Sequence, residues 1–245
     1  MAEEAHVIPA RHALSFALVL SGASALVAPA AAQHYEEAMI PSRRSVESPE
    51  GFALELRGGP YAPSSDAVAE VYPDDSGPLL AVELDVMFLR IPYVGRAGIG
   101  SGIGWARLSD KSLDEAGMRT DEEIDLTLIP IPLVAVLRVD VLARELDIPL
   151  LLAGKIGLDM LLWDEDVGER QGGSGVAFGL RWGAEIALEL DFFDRAAARS
   201  LDEEWGINHT YILFEYFGST ASDGVEGGTL ELGDQTWAIG LGFLF

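Results

Sequence analysis

A chain of 245 residues with 40 acidic and 16 basic side chains carries a formal charge of −24, so it will not bind nucleic acid through the phosphates. Hydrophobic residues make up 49% and cysteine is absent, which removes disulfides, thiol chemistry and a lipid-anchored N-terminal cysteine. After residue 33 there is no run of about twenty apolar residues, as a helical membrane bundle would need. The apolar content has to be spread over amphipathic strands.

Residues 11–32 read as a secretory signal. Arg11 and His12 give the basic flank, Ala13 to Val27 the apolar segment, and Ala30-Ala31-Ala32 a small-residue cleavage site before Gln33. The expected organisation is a signal peptide at 1–32, a polar periplasmic leader at 33–50 with Pro41 and Pro49, and one barrel over 51–245.

Eight candidate strands follow, at roughly 52–59, 79–90, 93–108, 124–141, 148–163, 175–190, 208–218 and 235–245. In the second, Val82, Leu84, Val86 and Phe88 oppose Glu83 and Asp85. In the third, Ile99, Ile103 and Trp105 oppose Gly98, Gly100, Gly102 and Gly104, small residues that leave room for long charged side chains across the interior. The fourth carries a parity switch: Leu126 and Leu128 read as outward with Asp125 and Thr127 inward, yet Ile131, Leu133, Ala135, Leu137 and Val139 form the later outward set. A bulge near Pro130 and Pro132 is therefore expected, since proline cannot donate to a ladder.

The fifth strand sets Leu152, Ile156, Leu158, Met160 and Leu162 against Ala153, Lys155, Gly157 and Asp159. The sixth is the clearest, alternating from Val176 through Phe178, Leu180, Trp182, Ala184, Ile186 and Leu188 to Leu190. Its apolar face persists for about fifteen residues, whereas soluble strands run nearer six and a membrane barrel strand needs about ten. The closing strand places Trp237, Ile239, Leu241, Phe243 and Phe245 on one face and ends on an aromatic ring. Connections alternate long and short, the pattern of outer loops and periplasmic turns. The fold class predicted is all-β: an eight-stranded antiparallel transmembrane β-barrel of the bacterial outer membrane, both termini periplasmic.

The one long link on the periplasmic side, 191–207, has helical composition around Arg195-Ala196-Ala197-Ala198-Arg199, and predicts a short periplasmic helix between strands six and seven. Phe192, Phe193, Leu201 and Trp205 are placed to cover the periplasmic mouth. The DFFD segment Asp191 to Asp194 and the block Asp202, Glu204, Trp205, Gly206, Ile207, Asn208, His209, Thr210 and Tyr211 resemble an uncharacterised family of outer-membrane β-barrel proteins of myxobacteria and related bacteria. GFALELRGGPY at 51–61 and the closing GDQTWAIGLGF are similar to it as well. The resemblance covers about 51–245 and implies the barrel fold and an outer-membrane location, with no reaction attached.

Parity assigns Glu55, Arg57, Glu83, Asp85, Arg96, Asp125, Arg138, Asp140, Lys155, Asp159, Arg181, Glu185, Glu189 and Glu215 to the lumen. An eight-stranded barrel is about narrow enough to be filled by its own side chains, and buried charges persist only when paired. The expectation is an interlocked ion-pair core, with a narrow cation path along the surplus acids as the alternative. Trp105, Trp182 and Trp237 are the expected lipid-interface aromatics, and Phe243 with Phe245 the expected assembly signal for the barrel-assembly machinery. Outer-membrane lipid is the first expected partner. The acidic outer loops, among them Asp74, Asp75, Asp114, Glu115, Asp121, Glu122, Glu123, Asp164, Glu169 and Glu226, could hold divalent cations, although they lack the spacing of a dedicated calcium loop.

Catalysis finds little support. A lipid-modifying barrel enzyme would want His, Ser and an acid near the outer leaflet, but beyond the signal only His34 and His209 occur, both on the periplasmic side. His209 reads as a strand-capping residue beside Asn208 and Thr210, no His cluster has zinc-like spacing, and no cofactor is indicated.

Changing Phe245 to Asp should impair membrane insertion far more than the same change at Gly242, scored by the amount of surface-exposed protein. Normal surface levels of Phe245→Asp would show that assembly reads another segment.

Overall fold

In a computed structural model, residues 51–63, 65–72, 77–113, 118–168, 172–223 and 230–245 are described. The predicted signal peptide and leader, and Asp74, Asp75, Asp114, Glu115, Glu169 and Glu226 of the loops, lie outside the described residues. The strands are β1 (Phe52–Tyr61), β2 (Gly77–Ile91), β3 (Gly95–Leu113), β4 (Arg119–Val139), β5 (Leu150–Asp166), β6 (Ser174–Glu189), β7 (His209–Ser219), β8 (Ser222–Asp223), β9 (Leu230–Glu231) and β10 (Gln235–Leu244). From β1 to β7 each strand pairs antiparallel with its neighbour in sequence, β7 pairs with β10, and β10 pairs with β1 to close the ring. The short pair β8 and β9 continues the register of the β7–β10 hairpin, as Ser219↔Asp234 does between them, so the ring has eight staves.

The closure is staggered. Stepping across the ladders from Ala53 leads through Asp85, Gly100, Val134, Gly157, Arg181, Ser219 and Asp234 to Pro63, ten residues further along the same chain. Such a stagger tilts the strands by roughly 40°. The seam is completed by the last residue: Gly51 N and Phe52 N donate to the Phe245 carbonyl (2.6 and 3.1 Å), and Phe245 N donates to Phe52 O (2.8 Å).

Alternation decides what each wall residue meets. On β6 the outward Val176, Phe178, Leu180, Trp182, Ala184 and Ile186 are exposed, with Phe178 at 63%, while Ala177, Arg181, Gly183, Glu185 and Ala187 are buried inside. From Val176 to Leu188 the strand takes twelve residue steps, which at about 3.4 Å each and a tilt of roughly 40° makes an outward apolar belt about 30 Å tall. A water-facing sheet would put these rings inside. Arg107 and Ser109 mark the upper limit on β3, where both bond to Asp125 on the outer surface of β4.

That position of Asp125 corrects the expected parity switch. Burial on β4 alternates without a break from Ile124 through Leu126, Leu128, Pro130, Pro132, Val134 and Val136 to Arg138, so Leu126 and Leu128 point inward and Asp125 and Thr127 outward. The register confirms it: Ser101↔Leu133 and Ala106↔Leu128 belong to one uninterrupted frame, and the β4–β5 ladder is continuous. Two prolines two residues apart turn toward the same neighbour. Their missing N–H groups interrupt only the ladder to β3, where the Ser101 hydroxyl donates to the Pro132 carbonyl (3.0 Å). A bulge does occur elsewhere, in β2 between Met87 and Leu89.

Among the described residues three short helices lie in the connections: α1 (Asp66–Val71), α2 (Val141–Glu145) and α3 (Arg195–Trp205). The predicted helix between the sixth and seventh strands is α3. Asp194 caps it by accepting from Ala196 N and Ala197 N, and Gly206 ends it in the left-handed region (φ 69°). It does not cover the mouth: Phe193 is 68% and Trp205 71% exposed. Tyr211, Leu213, Leu244, Ala53, Leu151 and Ala153 fill that end from within.

Because the chain lacks cysteine, single thiols report the parity of β4 directly. Thr127→Cys should react with a membrane-impermeant thiol reagent and Leu128→Cys should be protected. The reverse pattern would restore the inserted residue.

Candidate functional site

The interior is stacked in three layers. Nearest the long loops is an apolar ceiling of Tyr61, Leu79, Leu108, Ile124, Leu126, Leu128, Leu161, Phe217 and Leu232, onto which α1 and its C-terminal flank lay Val68 and Tyr72. The Tyr61 hydroxyl donates to Leu232 O (2.9 Å), tying the loops together beneath it. Tyr72 donates to Glu165 (3.4 Å), and burial with that neighbouring carboxylate pushes its phenol pKa upward. On the outer surface Asp125 is held below the usual carboxylate range by its bonds from Arg107 and Ser109. An apolar floor lies at the end where β1 begins and β10 finishes.

Between them lies a layer of charge. Glu55 faces Glu83 directly across β1 and β2, and Glu185 faces Glu215 across β6 and β7. Like charges so placed repel, and all four are buried, Glu55 at 0% exposure. Lys155, reaching in from β5, answers both pairs: its Nζ lies 2.6 Å from Glu55, 2.7 Å from Glu83, 3.3 Å from Glu185 and 3.9 Å from Glu215. Arg57 bridges Glu83 and Glu215, and Arg138 bridges Glu55 and Asp85 (2.9 Å to Asp85). Five carboxylates thus share three cations contributed by three strands. Glycines make the space, since a Cβ on Gly100 or Gly183 would run into the carboxylate of Asp85 or Glu215.

A second group joins this layer to the ceiling. Arg181 lies 3.6 Å from Asp159 and stacks over Phe217, 4.4 Å from the ring centroid. Buried Asp234 lines the same small cavity as Arg57, Tyr61 and Arg181, a space of about 10 Å³, room for about one water.

The remaining lumen candidates stand elsewhere. Arg96 lies half-buried at the floor end, level with Arg138. Asp140 has left the lumen, pairing with Arg144 of α2 (2.7 Å), because β4 ends at Val139 and the chain turns there. Glu189 closes β6 at the rim beside His209 (3.3 Å). Trp105, Trp182 and Trp237 are exposed on the outward face, Trp182 edge-on to Tyr216 and Trp237 stacked on Phe214. Phe243 and Phe245 are half-buried at the seam. A depression of about 530 Å³ beside Trp105 lies outside the wall, lined by Leu56, Leu80, Val82 and Ile103. Among the described outer acids, Asp110 pairs with Arg119, Asp121 with Lys111 (3.6 Å), and Asp223 accepts from Trp163 (2.9 Å).

The apolar ceiling is masked in the sequence by the two prolines of β4, which mimic a change of face, and by the shortness of α1. A signal did exist in the unbroken even-numbered series from Ile124 to Arg138.

Eight tilted antiparallel staves, apolar outside and charged at the core, define a transmembrane β-barrel of the smallest size class. No protein-family model and no curated protein matches the chain. Its fold is similar to that of the outer membrane protein OprG from Pseudomonas aeruginosa, at 11% identity over 81% of this chain and 97% of that one, TM-score 0.54. Ail, the attachment invasion locus protein of Yersinia pestis, aligns at 12% identity over 80% and 97%, TM-score 0.41. The N-terminal β-barrel domain of OprF from Pseudomonas aeruginosa aligns at 12% over 80% and 97%, TM-score 0.42. The likeness is one of fold.

Arg181→Ala should lower the unfolding midpoint clearly, because it strands Asp159 among buried groups, whereas Arg119→Ala on the exposed hairpin should change it little. Urea titration in lipid vesicles measures both, and equal midpoints would contradict the placement.

Proposed function

We propose that this is a small integral protein of the bacterial outer membrane with a structural or interaction role, its long loops outside and both termini periplasmic. The observation that carries the reading is the filled lumen: among the described residues an apolar ceiling, a layer of buried paired charges and an apolar floor succeed one another. The charge layer then serves to fix the wall rather than to pass ions. Trp105, Trp182 and Trp237 face lipid from the outward wall, but Trp182 lies midway between Val176 and Leu188, so the rings line the middle of the belt as well as its long-loop side rather than marking one headgroup boundary. Phe243 and Phe245 end the closing strand and serve as the segment read by the assembly machinery. The DFFD and EWGINHTY blocks support membership of the myxobacterial barrel family, and the acidic outer loops suit divalent cations bridging neighbouring anionic lipid.

The surplus of carboxylates over cations inside favours one rival, a narrow cation path. Membrane fractionation should find the folded protein in the outer membrane with heat-modifiable gel migration, and purified protein in planar bilayers should give no steady conductance. Sustained cation-selective openings would replace the scaffold reading with the pore.

A further inference from the structure

At the floor end, three side chains converge that neither the charge layer nor the apolar floor uses. Glu189 is the last residue of β6, Asp191 lies in the turn that follows, and His209 opens β7. His209 Nδ1 is 2.8 Å from Asp191 Oδ2 and 3.3 Å from Glu189 Oε1. One ligand atom from each residue lies within 4.8 Å of the others, and all three side chains are half-buried, within reach of solvent. The arrangement is fixed by backbone. Glu189 pairs with Tyr211 across the ladder, Leu190 N donates to Thr210 O (2.8 Å), and Thr210 N donates to the second oxygen of Asp191 (3.3 Å).

Both carboxylates approach the same ring nitrogen. An N–H there carries one proton and satisfies one acceptor, leaving the second carboxylate against the first. A divalent ion at the point of convergence satisfies all three. With metal–ligand bonds of about 2.0–2.2 Å, neighbouring ligand atoms lie about 3.0 Å apart at a right angle and about 3.4 Å apart in a tetrahedron. The observed 2.8 Å, a hydrogen-bond distance, and 3.3 Å lie one to two tenths of an ångström inside those separations, so an ion needs only a slight parting of the ligands. One imidazole nitrogen with two carboxylate oxygens suits zinc and its first-row neighbours, whereas calcium takes six to eight oxygens. We propose that Glu189, Asp191 and His209 form a binding site for a divalent ion of the zinc class, with a position left open to water on the solvent side. The ion would staple the start of the α3 link to the ends of β6 and β7. This holds whether the lumen is a scaffold or a pore.

The test uses the full protein refolded in detergent micelles, stripped with a chelator, desalted, and dialysed to equilibrium against Zn²⁺ in an excess of Ca²⁺ that occupies the oxygen-only loops. One Zn²⁺ should bind per barrel. His209→Ala and Asp191→Asn should each weaken it at least about tenfold, Asp110→Asn with Asp121→Asn on the opposite end should not, and binding should fall below about pH 6 as the imidazole protonates. Heat-modifiable migration checks that each variant is folded. Should His209→Ala fail that check, Glu189→Gln, on a ladder-paired position, is read in its place. No Zn²⁺ bound by the parent, or the same binding in the folded rim variants, overturns the site.

Discussion

Four carboxylates from four strands meet one ammonium group, and the barrel depends on that meeting. The register of β1 against β2 and of β6 against β7 leaves Glu55 opposite Glu83 and Glu185 opposite Glu215, on opposite sides of a narrow lumen. Neither pair is tolerable alone in a space with almost no water. Lys155 reaches both, so electrostatic satisfaction is achieved only when β5 is held at the height that joins the two halves of the ring. Arg57 and Arg138 then tie β1 and β4 to the same acids. Closure, stagger and charge pairing are therefore one condition: slipping a strand by one residue would swap its charged and apolar faces.

Around this layer, polarity is the reverse of a soluble protein's. Lipid-facing rings gain little from packing on one another, so the wall is held by its backbone ladders, and by what fills it. Apolar clusters lie on either side of the charge layer, whose acids and bases are buried, which keeps the effective dielectric low and each ion pair strong. The same burial makes the layer a poor place for exchange with solvent. Chemistry that needs access has to sit at the rim, where Glu189, Asp191 and His209 are half-exposed.

Much of this was legible in the alternation. On β2 and β6 one face stays apolar for longer than a soluble strand usually needs, and the opposite face carries acids and bases of the layer, while β10 sets the same outward rings against small residues. Two things were hidden. Prolines at 130 and 132 read as a break, but their even spacing sends both missing donors to β3, and the strand passes through without changing face. Heights were hidden too. Parity says that Asp140, Glu189 and Asp159 share a side, but only the ten-residue stagger and the strand ends say which of them meet, sending Asp140 to Arg144 and Glu189 to His209. A helix as short as α1 is held by the loop it sits on rather than by its own periodicity.

The most direct measurement is the folding free energy of Lys155→Met in lipid vesicles, with and without Glu55→Gln and Glu83→Gln. Removing the shared cation should cost about 3–5 kcal/mol, and neutralising the two glutamates should recover a substantial part of the loss, since the repulsion it exposed is then gone. A Lys155→Met barrel as stable as the parent, or a loss that the glutamines do not relieve, would contradict the account.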